Sequence, residues 1–140
     1  MNSARVVRHY WKKQHPAGKI DPRMDQRLVH AASIADERSN ARTKKRCWQY
    51  VKEALLAAGA VNSYPKTSYA NQAGSELASK YGFQRLSVRD PYAAPVGAVI
   101  VYAGRIGHVE IRTRDGFASD YHSKNRCFYP VLAVYGKFSS

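Results

Sequence analysis

The spacing of apolar residues changes near Pro91 and Pro95, and this change constrains the fold more than any other feature of the sequence. Upstream of the two prolines, apolar residues recur at the three- and four-residue intervals of amphipathic helices. Downstream of them, short segments rich in β-branched and aromatic residues are separated by glycine-containing turns. Helices followed by antiparallel strands form the α+β pattern. We therefore expect N-terminal helices packed on a small antiparallel sheet.

Cys47 begins the strongest predicted helix, in which Val51, Leu55 and Ala58 share its face and Gly59 provides a stop. The other elements are less sharply bounded. Helices are predicted over residues 23–42, 47–58 and 70–81, and strands over 98–102, 108–113, 117–122 and 127–135.

The length and composition favour a single domain. The chain has 140 residues, 44% of them apolar, and no linker rich in glycine, serine or proline. Two domains would each be small for a stable core. We predict one domain over residues 1–140, with a basic N-terminal arm and helix in 1–44 and the core in 45–138. No long apolar run occurs, and none follows Arg5 and Arg8, so neither a membrane span nor a secretory signal peptide is expected.

The chain is strongly basic, with 23 lysines and arginines against 10 acidic residues and a formal charge of +13. Such a field attracts polyanions and speeds their encounter with the protein. Nucleic acid is the commonest partner of a chain with this balance. Teichoic acids, lipopolysaccharide phosphates and the carboxylates of peptidoglycan stem peptides are equally anionic, so the charge alone does not choose among them.

The two cysteines, Cys47 and Cys127, form no metal-binding motif, so zinc is not expected. They are either free thiols or one disulfide, and a chain without a signal peptide favours thiols. Cys47 stands at a predicted helix start and follows Lys44, Lys45 and Arg46. The helix N-terminus and these cations stabilise a thiolate, which is the nucleophilic form. The alternative is a cysteine that is simply buried on the apolar face of its helix.

A nucleophilic thiol needs a base, and His108 is the best placed of the five histidines. It opens a predicted strand directly after Gly107, where no side chain crowds a ligand. Along that strand, Val109 and Ile111 point towards the core, whereas His108 and Glu110 share the opposite face. We therefore predict that His108 is the base.

The turn after this strand decides which residues face His108. A two-residue Asp-Gly loop would place Asp120 opposite the core-facing Ile111 and bury it without a partner. A three-residue Arg-Asp-Gly loop instead pairs Thr113 with Phe117 and makes Asp120 a diagonal neighbour of His108. We prefer this second register. It puts three further polar residues on the face of His108, namely Glu110, Asp120 and His122. The alternative for Asp120 is an ordinary solvent-facing carboxylate.

Four segments of the chain resemble those of NlpC- and CHAP-type (papain-like) cysteine peptidases and of type VI secretion amidase effectors. They are Arg46-Cys47-Trp48-Gln49-Tyr50-Val51 (the nucleophile helix), Pro95-Val96-Gly97-Ala98-Val99-Ile100-Val101-Tyr102 (the strand before the histidine), Gly107-His108-Val109-Glu110-Ile111 (the histidine strand) and Ser119-Asp120-Tyr121 (the third catalytic residue of the effectors). The resemblance covers residues 45–138 approximately. Two positions depart from the pattern: Ala98 stands where the family usually has aspartate, and Arg46 where many members have a small or acidic residue.

The resemblance implies a papain-like fold and a triad of Cys47 as nucleophile, His108 as base and Asp120 as the residue that orients the base. Glu110 and His122 are rivals for the third role, because both would share the face of His108. Trp48 and Tyr121 are auxiliary candidates, since they adjoin the nucleophile and Asp120. The mechanism needs no metal and no organic cofactor.

The implied function is hydrolysis of amide bonds in bacterial peptidoglycan by an antibacterial effector or lysin that acts as a monomer. Such a protein is made in the bacterial cytoplasm and reaches the periplasm or cell wall through a secretion system or after lysis. Its expected partners are peptidoglycan and an immunity protein or a component of the secretion machine. Two alternatives stay open: a deamidase or transglutaminase-type toxin that modifies a protein, and a basic nucleic-acid-binding module in which Cys47 is only a core residue.

Overall fold

The computed structural model describes residues 15–139; residues 1–14, which include His9 and much of the predicted arm, lie outside the described part. The described chain has three α-helices, α1 (Gln26–Glu37), α2 (Cys47–Ala57) and α3 (Ala73–Lys80), and two 3₁₀ helices, Ala70–Gln72 and Pro91–Ala93. Its strands are β1 (Gln84–Arg85), β2 (Val99–Tyr102), β3 (His108–Arg112), β4 (Phe117–Ala118), β5 (His122–Ser123) and β6 (Val131–Gly136).

The strands form one antiparallel sheet in the order β1-β6-β2-β3-β4-β5. Helices α1 and α2 pack on each other, and both contact β3. The side chains at this contact are completely buried, as the 0% exposure of Leu28, Val51, Leu55 and Ile111 shows. Each such side chain stabilises the fold by about 1.5–3 kcal/mol. This burial fixes the position of α2 relative to β3.

The α+β class, with helices packed on an antiparallel sheet, is confirmed. Helix α2 begins at the predicted residue, Cys47, and Gly59 follows its end with φ of +76°. Helix α1 is shorter than the predicted 23–42. It begins at Gln26, because Asp25 caps its N-terminus by accepting a hydrogen bond from the backbone N–H of Arg27, and it ends at Glu37. The predicted third helix begins as a 3₁₀ turn. Among residues 15–139, no helix is long and apolar enough to cross a membrane.

The predicted register of the hairpin after β3 is wrong. The structure pairs Arg112 with Phe117, so the turn comprises residues 113–116, one more residue than predicted. The guanidinium of Arg112, which is 1% exposed, donates hydrogen bonds of 2.9 Å to the carbonyls of Thr113 and Gly116 and holds this wider turn together. The strand predicted over 117–122 is interrupted, because β4 ends at Ala118 and pairs back with β5.

The sheet also differs from the prediction at its other end. Strand β6 begins at Val131, later than the predicted start at residue 127. Strand β1, which pairs Gln84 with Gly136, has no counterpart among the predicted strands. A two-residue strand carries too little alternation to be recognised from its pattern.

Candidate active site

Cys47 is the first residue of α2 and lies half-buried at the positive end of the helix. The first N–H groups of any helix have no partner inside it. At α2 the residue before Cys47 is Arg46, whose side chain makes no capping hydrogen bond. Arg46 therefore leaves the N–H groups of this first turn without a side-chain cap.

His108 opens β3 and interacts with two groups, the Cys47 thiol and the Glu110 carboxylate. The Nε2 atom of the ring lies 2.9 Å from Glu110 Oε1, so we infer that Nδ1 is the ring nitrogen used towards Cys47. Burial alone would lower the pKa of His108. The hydrogen bonds with Cys47 and then Glu110 outweigh burial and raise that pKa to about 10. The imidazole is therefore held in its protonated form beside the thiol.

Glu110 is the carboxylate that contacts His108. Its side chain is 4% exposed, and its second oxygen, Oε2, accepts a hydrogen bond of 2.6 Å from the Tyr102 hydroxyl. The backbone N–H of Cys127 lies 3.4 Å from the same oxygen. Burial and the negative charge of Glu110 raise the pKa of the Tyr102 phenol, so the hydroxyl stays protonated and remains a donor.

Asp120, predicted to orient His108, makes its hydrogen bonds elsewhere. Its carboxylate accepts from the Thr43 hydroxyl at 3.0 Å and from the backbone N–H groups of Lys44 at 2.5 Å and Arg46 at 3.1 Å. The predicted diagonal contact with His108 is wrong, because the longer turn and the early end of β4 remove Asp120 from the strand beside β3. Asp120 instead holds the loop that leads into Cys47.

His122, the other rival for the third role, also lies away from His108. Its Nδ1 atom is 2.6 Å from Asp36 Oδ1, and its Nε2 atom is 3.7 Å from Asp115 Oδ2. These residues offer one metal-ligating atom each within 4.8 Å of one another. Two ligands about 2.1 Å from a shared ion lie roughly 3 Å apart or more, so the 2.6 Å separation fits a direct contact between His122 and Asp36 better than a metal site.

The two auxiliary candidates, Tyr121 and Trp48, have different surroundings. Tyr121 is half-buried, and burial followed by the charges of Glu110 and Cys127 raises the pKa of its phenol. Trp48 is 4% exposed and points the other way along α2, where its indole N–H donates to the Thr67 carbonyl at 3.1 Å. Trp48 therefore anchors α2 to the segment before the 3₁₀ helix.

Both cysteines are free thiols, so the predicted alternative of a Cys47–Cys127 disulfide is not the arrangement in this structure. Burial raises the pKa of the Cys127 thiol, which keeps it in the poorly nucleophilic form. Of the two, Cys47 is the one that stands at a helix start and contacts a histidine.

Sequence reasoning missed the role of Tyr102. The hairpin of β2 and β3 pairs Tyr102 with His108, and Glu110 lies two residues further along β3. The sequence does carry a signal for this role: a tyrosine at the end of the strand that precedes the predicted catalytic histidine. It marks a donor within reach of the carboxylate on the same face.

No family model and no curated protein matches the sequence. Solved structures do match the fold of this chain. One is a chain of the native type VI effector–immunity complex Tae3–Tai3 from Ralstonia pickettii, with a TM-score of 0.66 and 21% identity over 80% of this chain and 98% of the other. Another is the selenomethionine form of that complex, with a TM-score of 0.60 and 23% identity over 77% and 97% of the two chains. The fold is shared. At this identity the likeness speaks for architecture alone, which agrees with helices packed on an antiparallel sheet.

Proposed function

We propose that this protein is a peptidoglycan amidase of the papain-like NlpC/CHAP type that serves as an antibacterial effector. Cys47 is the nucleophile, His108 the general base and acid, and Glu110 the group that orients the imidazole. The observation that carries the proposal is the contact of one half-buried histidine with both a helix-start cysteine and a buried carboxylate. A nucleophile, its base and the base's orienting group in this order form the arrangement of cysteine and serine hydrolases.

The reaction follows from these positions. The Cys47 thiolate attacks the carbonyl carbon of an amide, and the carbonyl oxygen becomes an oxyanion that the free N–H groups at the start of α2 stabilise. The His108 imidazolium then gives its Nδ1 proton to the leaving amine, and a thioester remains on Cys47. A water molecule loses a proton to His108 and attacks the thioester. The carboxylic acid leaves, and the proton on His108 restores the ion pair with Cys47.

The proposed substrate class rests on charge. The net charge of +13 favours an anionic polymer, and the loop directly before Cys47 exposes Lys44, Lys45 and Arg46. Peptidoglycan stem peptides combine amide bonds with free carboxylates, so they suit both the thiol and this basic loop. A nucleic-acid-binding module would have no use for the contact between Cys47 and His108.

The proposed setting is interbacterial competition. The matching structures are complexes of a type VI effector with an immunity protein, and we propose that this chain likewise has an immunity partner. It would be made in the cytoplasm of the producing bacterium and would act as a monomer in the periplasm of a recipient, after delivery by a secretion system. Release by lysis is the alternative route.

The test is digestion of purified sacculi with the pure protein, followed by chromatography and mass spectrometry of the released muropeptides. We expect new products that differ from intact muropeptides by hydrolysis of one amide bond, and we expect none with Cys47→Ala or His108→Ala. Sacculi left unchanged by the wild-type protein, together with deamidation of a protein substrate, would favour the deamidase alternative. Equal product release by Cys47→Ala would contradict the proposed nucleophile.

A further inference from the structure

We propose that Asp120 is a positioning residue for Cys47: its carboxylate binds the backbone of loop 43–46 and sets the start of α2 without blocking it. The inference rests on the proposed function, since it gives Asp120 a part in placing the nucleophile. Asp120 was predicted to orient His108. In this proposal it positions Cys47, the other member of the catalytic pair.

The geometry of loop 43–46 is that of an anion-binding nest. The N–H groups of Lys44 and Arg46 both point at one oxygen, Oδ2 of Asp120, at 2.5 and 3.1 Å. Lys45 lies between them with φ of +59°, the left-handed conformation that turns alternate N–H groups towards one point. The Thr43 hydroxyl closes the loop, because it donates to the same oxygen at 3.0 Å and accepts from the N–H of Lys45 at 3.0 Å.

The backbone conformation of Lys45 is locally unfavourable, so contacts with other residues must hold loop 43–46 in place. Among residues 15–139, Lys45 is the one non-glycine residue with positive φ. A side chain in this region costs on the order of 1–3 kcal/mol and persists where surrounding contacts enforce it. The contacts that enforce it are those of Asp120, whose pKa burial would raise but which the hydrogen bonds from Arg46, Lys44 and Thr43 lower overall. The carboxylate is therefore charged while it holds the loop.

Asp120 is itself fixed from behind. It is 0% exposed, and its carbonyl accepts hydrogen bonds of 2.8 Å from both the backbone N–H and the side-chain amide of Asn40. The hydroxyl of Ser119 lies 3.2 Å from the remaining carboxylate oxygen. Asp120 thus connects the turn after β4 rigidly to the residue that precedes Cys47.

The position of the carboxylate leaves the nucleophile free. A side chain that capped α2 in the usual way would occupy the N–H groups of its first turn. Asp120 instead binds the N–H groups of Lys44 and Arg46, which come before the helix. The first-turn N–H groups stay open for an oxyanion, and Cys47 stays where it meets His108. Contacts to the loop before the helix can thus hold a catalytic cysteine in place without using the N–H groups of the first turn.

The test compares Asp120→Ala and Asp120→Asn with a control at Asp25, a buried aspartate that accepts a backbone N–H at the start of a different helix. Three quantities are measured for the full-length protein: the melting temperature, the rate at which iodoacetamide alkylates Cys47 (followed by mass spectrometry of its peptide), and kcat and KM on muropeptides. Alkylation needs no substrate, so it reports on Cys47 even if the proposed substrate is wrong.

We expect Asp120→Ala to lower the alkylation rate and kcat by about tenfold or more, with KM within about twofold of wild type, because the thiol is displaced from His108. For Asp120→Asn, the alkylation rate and kcat should stay within about threefold of wild type, because its amide oxygen can accept the same three hydrogen bonds. Asp25→Ala should lower the melting temperature and leave both rates unchanged. If Asp120→Ala does not fold, Thr43→Val removes one contact of the same oxygen and should lower both rates by a smaller factor.

A folded Asp120→Ala protein with wild-type alkylation and kcat would overturn the inference. Asp120→Asn rates as low as those of Asp120→Ala would also overturn it, since they would point to charge rather than to placement of the loop. Slower alkylation of Asp120→Ala, with Asp120→Asn close to wild type, would leave the positioning role standing even if wild type fails on sacculi, and that failure would count against the proposed substrate.

Discussion

Tyr102 and Glu110 are joined by a hydrogen bond of 2.6 Å, deep in the hairpin of β2 and β3. The hydroxyl occupies Oε2 of Glu110, so Oε1 is directed at His108 Nε2, 2.9 Å away. The carboxylate has little freedom, because it is buried between a donor on one strand and the imidazole on its own strand. A chain of four side chains therefore runs from the sheet to the thiol: Tyr102, Glu110, His108 and Cys47.

The first prediction concerns the charge of Glu110. Glu110→Gln keeps the shape of the side chain but removes the negative charge that faces the imidazolium. We expect kcat on muropeptides to fall by about 100-fold or more, since a neutral amide neither stabilises the imidazolium nor selects the correct tautomer. Steady-state kinetics with Asp120→Asn as the comparison checks this. A larger loss in Asp120→Asn than in Glu110→Gln would restore Asp120 as the orienting residue.

The second prediction concerns Tyr102. Tyr102→Phe removes the hydroxyl that holds Glu110 and leaves a buried carboxylate oxygen with a weaker set of donors, which costs about 1–3 kcal/mol of unfolding free energy. We also expect a loss of kcat of about tenfold, because Glu110 gains freedom to turn from His108. Tyr81→Phe is the matched control, since it removes a hydroxyl that lies 2.9 Å from Ser63 Oγ. It should lower stability and leave kcat unchanged; equal activity of the two variants would argue against the role of Tyr102.

The third prediction is a loss of stability at alkaline pH. The pKa of His108 is about 10 in the folded protein against a model value of 6.5, so the folded state holds this proton more tightly than the unfolded state. The resulting stability is fully present below about pH 6.5 and is lost as the pH rises towards 10. Calorimetry across this range should show the melting temperature of wild type falling by about 5 °C or more relative to that of His108→Gln. Parallel curves for the two proteins would contradict the raised pKa.

The fourth prediction concerns Arg112, whose buried guanidinium donates to four backbone carbonyls, those of Pro16, Tyr92, Thr113 and Gly116. Arg112→Met leaves these carbonyls without their donor and should cost about 3 kcal/mol. Arg112→Lys should recover little, because an ammonium cannot reproduce the planar fork. Thermal unfolding of both variants checks this, with the exposed Arg114→Met as the control that should unfold like wild type. Little change in Arg112→Met would mean that the turn holds its shape without the guanidinium.

The placement of Cys47 at a helix start and of His108 and Glu110 on one strand could be predicted from sequence, because it depends on local signals. The start of α2 at Cys47 follows from apolar spacing and the terminal Gly59, and the shared face of His108 and Glu110 follows from strand alternation. Glu110 was therefore within reach of the sequence as a rival for the third role. The unfolding experiments on Tyr102 and Arg112 test contacts that these local patterns do not predict.

The residue that orients His108 could not be chosen from sequence among Asp120, Glu110 and His122, because the choice depends on the register of the hairpin after β3. In that register the turn comprises residues 113–116, one more than predicted, and the Arg112 side chain folds back over it to bond its carbonyls. A buried arginine whose hydrogen bonds go to backbone carbonyls has no sequence signature. The nest around Asp120 depends in the same way on tertiary contact, since Thr43 and Asp120 are 77 positions apart in the chain.

The most direct test of the account is capture of the acyl-enzyme. The protein is mixed with muropeptides, quenched with acid within milliseconds to seconds, and digested for mass spectrometry. We predict an adduct with the mass of an acyl fragment on the Cys47 peptide of the wild-type protein, and none on the Cys127 peptide. The adduct should persist longer in a variant in which His108 activates water poorly, such as Glu110→Gln. Amide hydrolysis by Cys47→Ala, or an acyl adduct confined to another residue, would contradict Cys47 as the nucleophile.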